Sequence, residues 1–292
     1  MSRQRPRGLA PWSPSAAKLE LLDVVRGVLS EYSEHLPLTI RQIFYRLVGA
    51  AGYDKTEAAY ASLCETLGRA RRAGLIPFEV IRDDGTIVRT PPAWDSADEM
   101  IAAAIKAAEN FRLDRQRGQP VRLILCVEAG GMVPQIERIA APYGIPVHSS
   151  GGFDSLTAKH DLARLLARWR CACVLHVGDH DPSGVHVFSS LAEDVTAMAE
   201  RLNMSAEIEF SRLAVTPDQA ATMNLPSAPP KPTDRRAFAG DTWQIEAIPP
   251  DALAEIVEQA ILTRRDPAAT DALLAEESEI RATLISRLAG LR

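Results

Sequence analysis

Apolar residues recur at Leu19, Leu22, Val25 and Leu29, a helical spacing that predicts a first helix capped by Ser15. A second helix is predicted over residues 40–48 with Thr39 as its N-cap. At about 100° per residue, Ile40, Ile43, Phe44, Leu47 and Val48 share one side, whereas Tyr45 falls on the other flank with Arg41 and Gln42. Tyr45 is therefore not an obvious core residue. A third helix, from about Thr56 to Ala73, turns Tyr60, Leu63 and Leu67 inward and carries Arg69, Arg71 and Arg72 near its end, where Gly74 closes it. Residues 78–82 and 86–89 flank Asp83, Asp84 and Gly85, a hairpin signal because Asp-Gly tolerates positive φ. Three helices and a hairpin predict a winged helix-turn-helix over residues 15–92, preceded by a mobile basic arm at 1–14. The arginines of the third helix, 69, 71 and 72, are then the expected DNA contacts, together with Arg41.

The rhythm changes after a linker at 93–118 that contains a helix over residues 98–111. Strands are predicted at 121–127, 145–148, 172–178 and 206–210, and helices at 133–141, 155–169 and 185–202. That alternation predicts an α/β domain over 119–292 with a mainly parallel sheet flanked by helices, whose ligands gather at the carboxyl ends of the strands. Residues 224–242 form a long loop, and a strand over 242–248 presents Glu246. Helices near 251–264 and 270–289 complete the chain, which has no internal repeat.

The acids stand where such a sheet presents its ligands. Glu128 follows one strand, and Asp179 and Asp181 follow another. Oxygen donors so placed suit Mg²⁺, or Mn²⁺, shared with a substrate phosphate. Gly130–Gly131 and Gly184 lead into helix N-termini, favourable places for phosphate, and the turn at 151–155 carries Asp154. Asp179-His-Asp-Pro-Ser-Gly184 resembles the start of a calcium loop, but its twelfth position is Ser190 and a strand precedes it, which excludes that site. His176, His180 and His186 raise a transition-metal alternative, although His180 alternates away from the two aspartates. Tyr45 brings a hydroxyl able to attack a phosphodiester, with Arg41 one turn earlier on the same face.

The chain has 292 residues, 46% of them hydrophobic, enough to fill two cores. Its net charge of −5 is unevenly spread: residues 1–92 hold 13 basic against 10 acidic side chains, and the remainder 20 against 28. The basic excess coincides with the predicted winged helix, though a solvated mixed-charge surface has the same balance. No apolar run approaches the roughly 20 residues that span a bilayer, and the start has no secretory signal, so a cytoplasmic protein without a membrane partner is expected. Cys64, Cys126, Cys171 and Cys173 lack zinc-site spacing and are expected as free thiols.

Together, Arg41-Gln-Ile-Phe-Tyr45, Val127-Glu128 and Asp179-His-Asp181-Pro-Ser-Gly184 resemble, in order, the motifs of the topoisomerase VI A subunit and its meiotic double-strand-break relatives. The similarity covers roughly residues 37–210 and is strongest to short stand-alone bacterial and mobile-element homologues. It implies a winged helix joined to a Toprim domain. It also implies Tyr45 as nucleophile, Mg²⁺ on Glu128, Asp179 and Asp181, and a 5′-phosphotyrosyl product on duplex DNA at the nucleoid. A homodimer is implied in which one subunit's tyrosine serves the other's metal site, with any ATPase on a separate subunit. Gln244-Ile-Glu-Ala-Ile248 resembles a later acidic motif and adds Glu246 as a further candidate. Two alternatives stay open: a Toprim nuclease using metal-activated water, and a non-catalytic DNA-binding protein.

Overall fold

The structure is a computed structural model that describes residues 9–82, 93–149, 156–203, 205–230 and 238–289. Its first helices are α1 (Ala16–Glu31), α2 (Ile40–Ala51) and α3 (Glu57–Arg72). Thr39 caps α2 reciprocally with Gln42, each side chain bonding the other's backbone N–H, and Gly52 closes the helix in the left-handed region at φ 64°. Thr56 caps α3 through the Ala59 N–H. Strand β1 (Leu38–Thr39) pairs in parallel with β2 (Ile81–Arg82). Residues 78–82 were expected as one strand, but Phe78–Val80 forms a 3₁₀ turn after Pro77 and only the last two residues extend. The rest of the expected hairpin, 83–89, lies outside the described residues, as does most of the basic arm.

Helix α4 (Ala97–Glu109) leads into β3 (Arg122–Val127), α5 (Val133–Ala140), β4 (Val147–Ser149), α6 (Leu156–Leu166), β5 (Cys171–Val177), α7 (Pro182–Leu202) and β6 (Glu207–Ala214). The strands form one parallel sheet in the order β4-β3-β5-β6. The fold is α/β, with helices on both faces of this sheet. Leu123, Leu125, Val127, Cys173, Leu175 and Val177 join α5 and α9 (Pro250–Leu262) on one face. Ile124, Cys126, Ala172 and Val174 join α6 and α7 on the other. Burial on both faces explains why β3 and β5 read as unbroken apolar runs rather than alternating ones.

Three further differences follow from specific contacts. Residues 242–248 are not a strand: Trp243 bridges to His180, Thr242 bridges to Ala228, and Ile245–Ala247 turns in a 3₁₀ helix. The Ile245 N–H is taken by the Asp179 carboxylate, so it cannot serve a ladder. An additional helix, α8 (Pro217–Thr222), is nucleated by a capping box between Thr216 and Gln219. Finally, Tyr45 is buried, with 5% of its surface exposed. The polar flank of α2 faces a second layer of protein rather than water: Gln42 is fully buried and bonds Gln135 of α5 at 2.6 Å. Helices α1–α3 share one apolar cluster with a face of the sheet. The chain ends in α10 (Pro267–Ala289), which packs along α4.

Candidate functional site

Strands β3 and β5 are neighbours in register, with Val127 opposite Val177, so Glu128 and Gly178 leave the sheet at the same level. The chain then folds the acids together. The Asp179 N–H donates to Glu128 Oε2 at 3.0 Å, and the Ile245 N–H donates to Asp179 Oδ1 at 2.8 Å. Asp181 is the N-cap of α7, accepting from the Gly184 N–H at 2.7 Å. Two glycines permit this crowding. A Cβ on Gly178 would overlap Glu128 Oε2 and the His176 ring, and one on Gly184 would overlap the Asp179 carbonyl.

The cost of ionisation is raised at two of these acids, Glu128 and Asp179. Burial, then the charges of Asp179 and Asp181, push the Glu128 carboxyl up to about 7, against the Asp179 N–H and Arg212. Burial likewise raises Asp179, opposed first by the Ile245 N–H. Arg212, on β6, is a member of the site that the sequence did not single out. Its guanidinium donates to the carbonyls of Gly178, Asp179, Gly184 and Val215, tying together both ends of the acidic turn. Burial lowers its pKa while the three carboxylates raise it. An arginine within the strand Glu207–Ala214 was the available signal.

Among the described residues, no group of three His, Cys, Asp or Glu side chains already closes around one metal position. The donor chemistry nevertheless suits a hard divalent cation: Glu128, raised first by burial and then by the charges of Asp179 and Asp181, stands with two further carboxylates, and each of the three accepts one backbone N–H. Histidines do not add to the set. His176 is fully buried against Phe188, and burial and Arg212 push it down to about 3, which keeps it neutral. His180 packs on Phe238 and Trp243, and His186 is exposed. The four cysteines are free thiols, Cys126 and Cys173 buried.

Tyr45 reaches this cluster from α2 of the same chain. Its hydroxyl donates to Gln244 Oε1 at 2.6 Å, and Arg41 donates to the same oxygen at 2.9 Å. The residue after Gln244 is Ile245, whose N–H holds Asp179. Arg41 also lies over the Tyr60 ring at 5.0 Å, and Lys55 over the Tyr45 ring at 5.7 Å. Burial pushes the Tyr45 phenol well above its ordinary value; Arg41 opposes this, and Glu246 and Asp179 add to it. Glu246 thus neighbours the tyrosine, and it also favours the charged form of Arg41. Gln244 was quoted in the sequence only as part of a motif, and its amide role had no signal there.

The remaining candidates lie elsewhere. Arg69 pairs with Glu65 at 2.7 Å, and Arg71 sits over the Phe78 ring at 4.7 Å, both half-exposed at the end of α3 with Arg72. Asp154 lies outside the described residues. No helix among the described residues is long and apolar enough to cross a membrane. Compared with family models, with curated proteins and with solved structures, the chain shows no match in any of the three.

Proposed function

We propose that this chain cleaves duplex DNA by transesterification, in the manner of the topoisomerase VI A class its motifs resemble. The observation that supports it best is the continuous link from Tyr45 through Gln244 and Ile245 to Asp179, which puts an aromatic hydroxyl beside a crowded carboxylate cluster. In this reading α1–α3 are the winged helix and the parallel sheet with its helices is the Toprim-like part. Arg69, Arg71 and Arg72 meet the DNA backbone.

In the reaction the Tyr45 Oη–P bond forms and the P–O3′ bond breaks, leaving a 5′-phosphotyrosyl link and a 3′ hydroxyl. The phenol proton passes through solvent to the departing oxygen. The hydroxyl must first leave Gln244, and Arg41, already within reach of the same oxygen, stays to favour the phenolate. Glu128, Asp179 and Asp181 would hold Mg²⁺ or Mn²⁺, which supplies charge neutralisation at the phosphate. Arg212 keeps the acidic turn in place through four backbone carbonyls. Cutting both strands calls for two such sites, hence a homodimer, and strand passage for a separate ATPase subunit.

A second reading has its own support. Tyr45 is buried and its phenol is hard to ionise, which favours hydrolysis by water at the acid cluster with Tyr45 as a packing residue. Denaturing a reaction of the protein with labelled DNA and Mg²⁺ or Mn²⁺ separates the two. A covalent protein–DNA adduct that disappears in Tyr45→Phe is expected. Cleavage that survives Tyr45→Phe establishes hydrolysis, and no cleavage with either metal leaves a DNA-binding protein.

A further inference from the structure

We infer that Arg212 is a positioning residue that decides which divalent cation the acid cluster takes. By pinning the backbone of the turn over residues 178–184, it makes Glu128, Asp179 and Asp181 a site for a small cation such as Mg²⁺ or Mn²⁺ and a poor one for Ca²⁺. The inference rests on the reading of these acids as a cation site, and it holds whether a tyrosine or a water attacks the phosphate.

Arg212 reaches the turn because of how β6 ends. It stands opposite His176 of β5, and the register then slips so that Ala214, not Leu213, meets Val177. Such a bulge bends a strand and re-aims the side chains beside it. Beyond the bulge, strand and turn are joined directly: the Gly178 N–H donates to the Ala214 carbonyl at 2.8 Å, and the Val215 N–H to the Gly178 carbonyl at 2.9 Å. The Arg212 guanidinium lies over the Phe188 ring of α7, 6.0 Å from its centre, and that ring packs on His176 at 4.9 Å. Contacts from β5 and α7 thus hold the guanidinium against the turn.

Among the described residues, the hydrogen bonds of Arg212 all end on backbone carbonyls: Gly178 at 3.2 Å, Gly184 at 3.4 Å, Val215 at 3.5 Å, and Asp179. A guanidinium paired with the acids would take the oxygens that a metal ion needs. Here each acid gives one oxygen to a backbone N–H, that of Asp179, Ile245 or Gly184, and none to Arg212. Arg212 therefore shapes the turn without occupying it. A planar fork suits this task, because its N–H groups point in fixed directions and can hold carbonyls from both ends of one turn. Lysine carries the same charge but has no fork. Crowding tightens the turn further, since a Cβ on Gly184 would overlap the Asp179 carbonyl that Arg212 holds.

Rigidity then discriminates between cations. Mg²⁺ demands near-ideal octahedral geometry at about 2.0–2.1 Å, whereas Ca²⁺ takes about six to eight oxygens at about 2.3–2.6 Å in flexible arrangements. A turn pinned at residues 178, 179 and 184 resists opening to the longer bonds and extra ligands of the larger ion. A released turn does not.

The test measures cation binding by the full chain without DNA, by calorimetry with Mn²⁺ and with Ca²⁺, for wild type, Arg212→Lys and Arg212→Gln. Wild type should favour Mn²⁺, and in both variants that preference should narrow by about tenfold or more, the scale of outer-shell changes at metal sites. Urea midpoints of the same proteins keep folding apart from binding. A ratio of the two affinities that stays as in wild type, even with a lower midpoint, overturns the inference and leaves Arg212 a structural residue. A wild type that binds Ca²⁺ as tightly as Mn²⁺ overturns it as well, and so does a variant whose preference for Mn²⁺ widens. Binding of neither cation by wild type removes the cation site itself and the inference with it, a result distinct from an unchanged ratio. Should neither variant fold, hydrogen exchange of the cation-free wild type decides. Slow exchange of the 178–184 amides supports a turn already pinned, and exchange that slows only when Mn²⁺ is added contradicts it.

Discussion

Glu128 carries an electrostatic consequence that falls within the range of a stability measurement. Its carboxyl is pushed up to about 7 from an ordinary value of 4.5, so the folded cation-free protein takes up a proton that the unfolded chain has released between those values. Stability should therefore fall as pH rises through that interval, by roughly 1–3 kcal/mol after allowance for its partial exposure. Glu128→Gln should flatten this slope in urea titrations between pH 4.5 and 7.5, and an unchanged slope refutes the assignment. Gly178→Ala has a different expected effect: its methyl group meets Glu128 Oε2 and the His176 ring, at a cost of about 1–3 kcal/mol by denaturant midpoint. The three acids were legible in the sequence because they stand at or within four residues of the end of an apolar run. Gln244 was not, since its meeting with Tyr45 spans 199 positions of chain and depends on how two layers pack. Arg212 was hidden for the same reason, acting on carbonyls 28 to 34 positions away.

At the scale of elements, local signals decided what could be read. Thr39 and Thr56 marked helix starts, and Gly74 the end of α3, because caps are chemistry between near neighbours. The capping box at Thr216 and Gln219 was equally local, and α8 could have been found from it. Residues 242–248 misled because a β-like composition was recruited by a distant carboxylate at Asp179. Helix α7 allows a prediction that separates structure from chemistry. Asp181 caps it through Oδ1, a bond that asparagine can also accept. Asp181→Asn should keep stability within about 0.5 kcal/mol, whereas Asp181→Ala should lose about 1 kcal/mol. If Asp181 also holds the cation, Asp181→Asn should weaken Mn²⁺ binding by at least the roughly tenfold that outer-shell changes cost, measured by calorimetry. An Asn variant that binds Mn²⁺ like wild type confines Asp181 to capping.

Across the whole molecule, the amphipathic pattern of α2 proved incomplete rather than mistaken. Its apolar side was legible, but the flank bearing Arg41, Gln42 and Tyr45 looked solvent-facing because glutamine and arginine do not announce burial in a helical wheel. Only tertiary packing supplied partners: Gln135 for Gln42, Gln244 for Arg41 and Tyr45, and the Ala247 carbonyl for Arg46. With α1–α3 and one sheet face in a single apolar cluster, the helices and the sheet cannot lose their packing independently. Thermal unfolding of the full chain should then be one transition, with calorimetric and van't Hoff enthalpies in agreement. Gln42→Ala is the sharper probe, because it leaves the buried Gln135 amide short of a partner at a cost of about 1–3 kcal/mol. Where helices and sheet share one core, that variant lowers the midpoint of the whole transition and leaves it single. Two transitions in Gln42→Ala, with the early one reporting the helices alone, would show that this contact holds together two units otherwise able to separate. That outcome would make the placement of Tyr45 beside its acids conditional on a single buried amide pair.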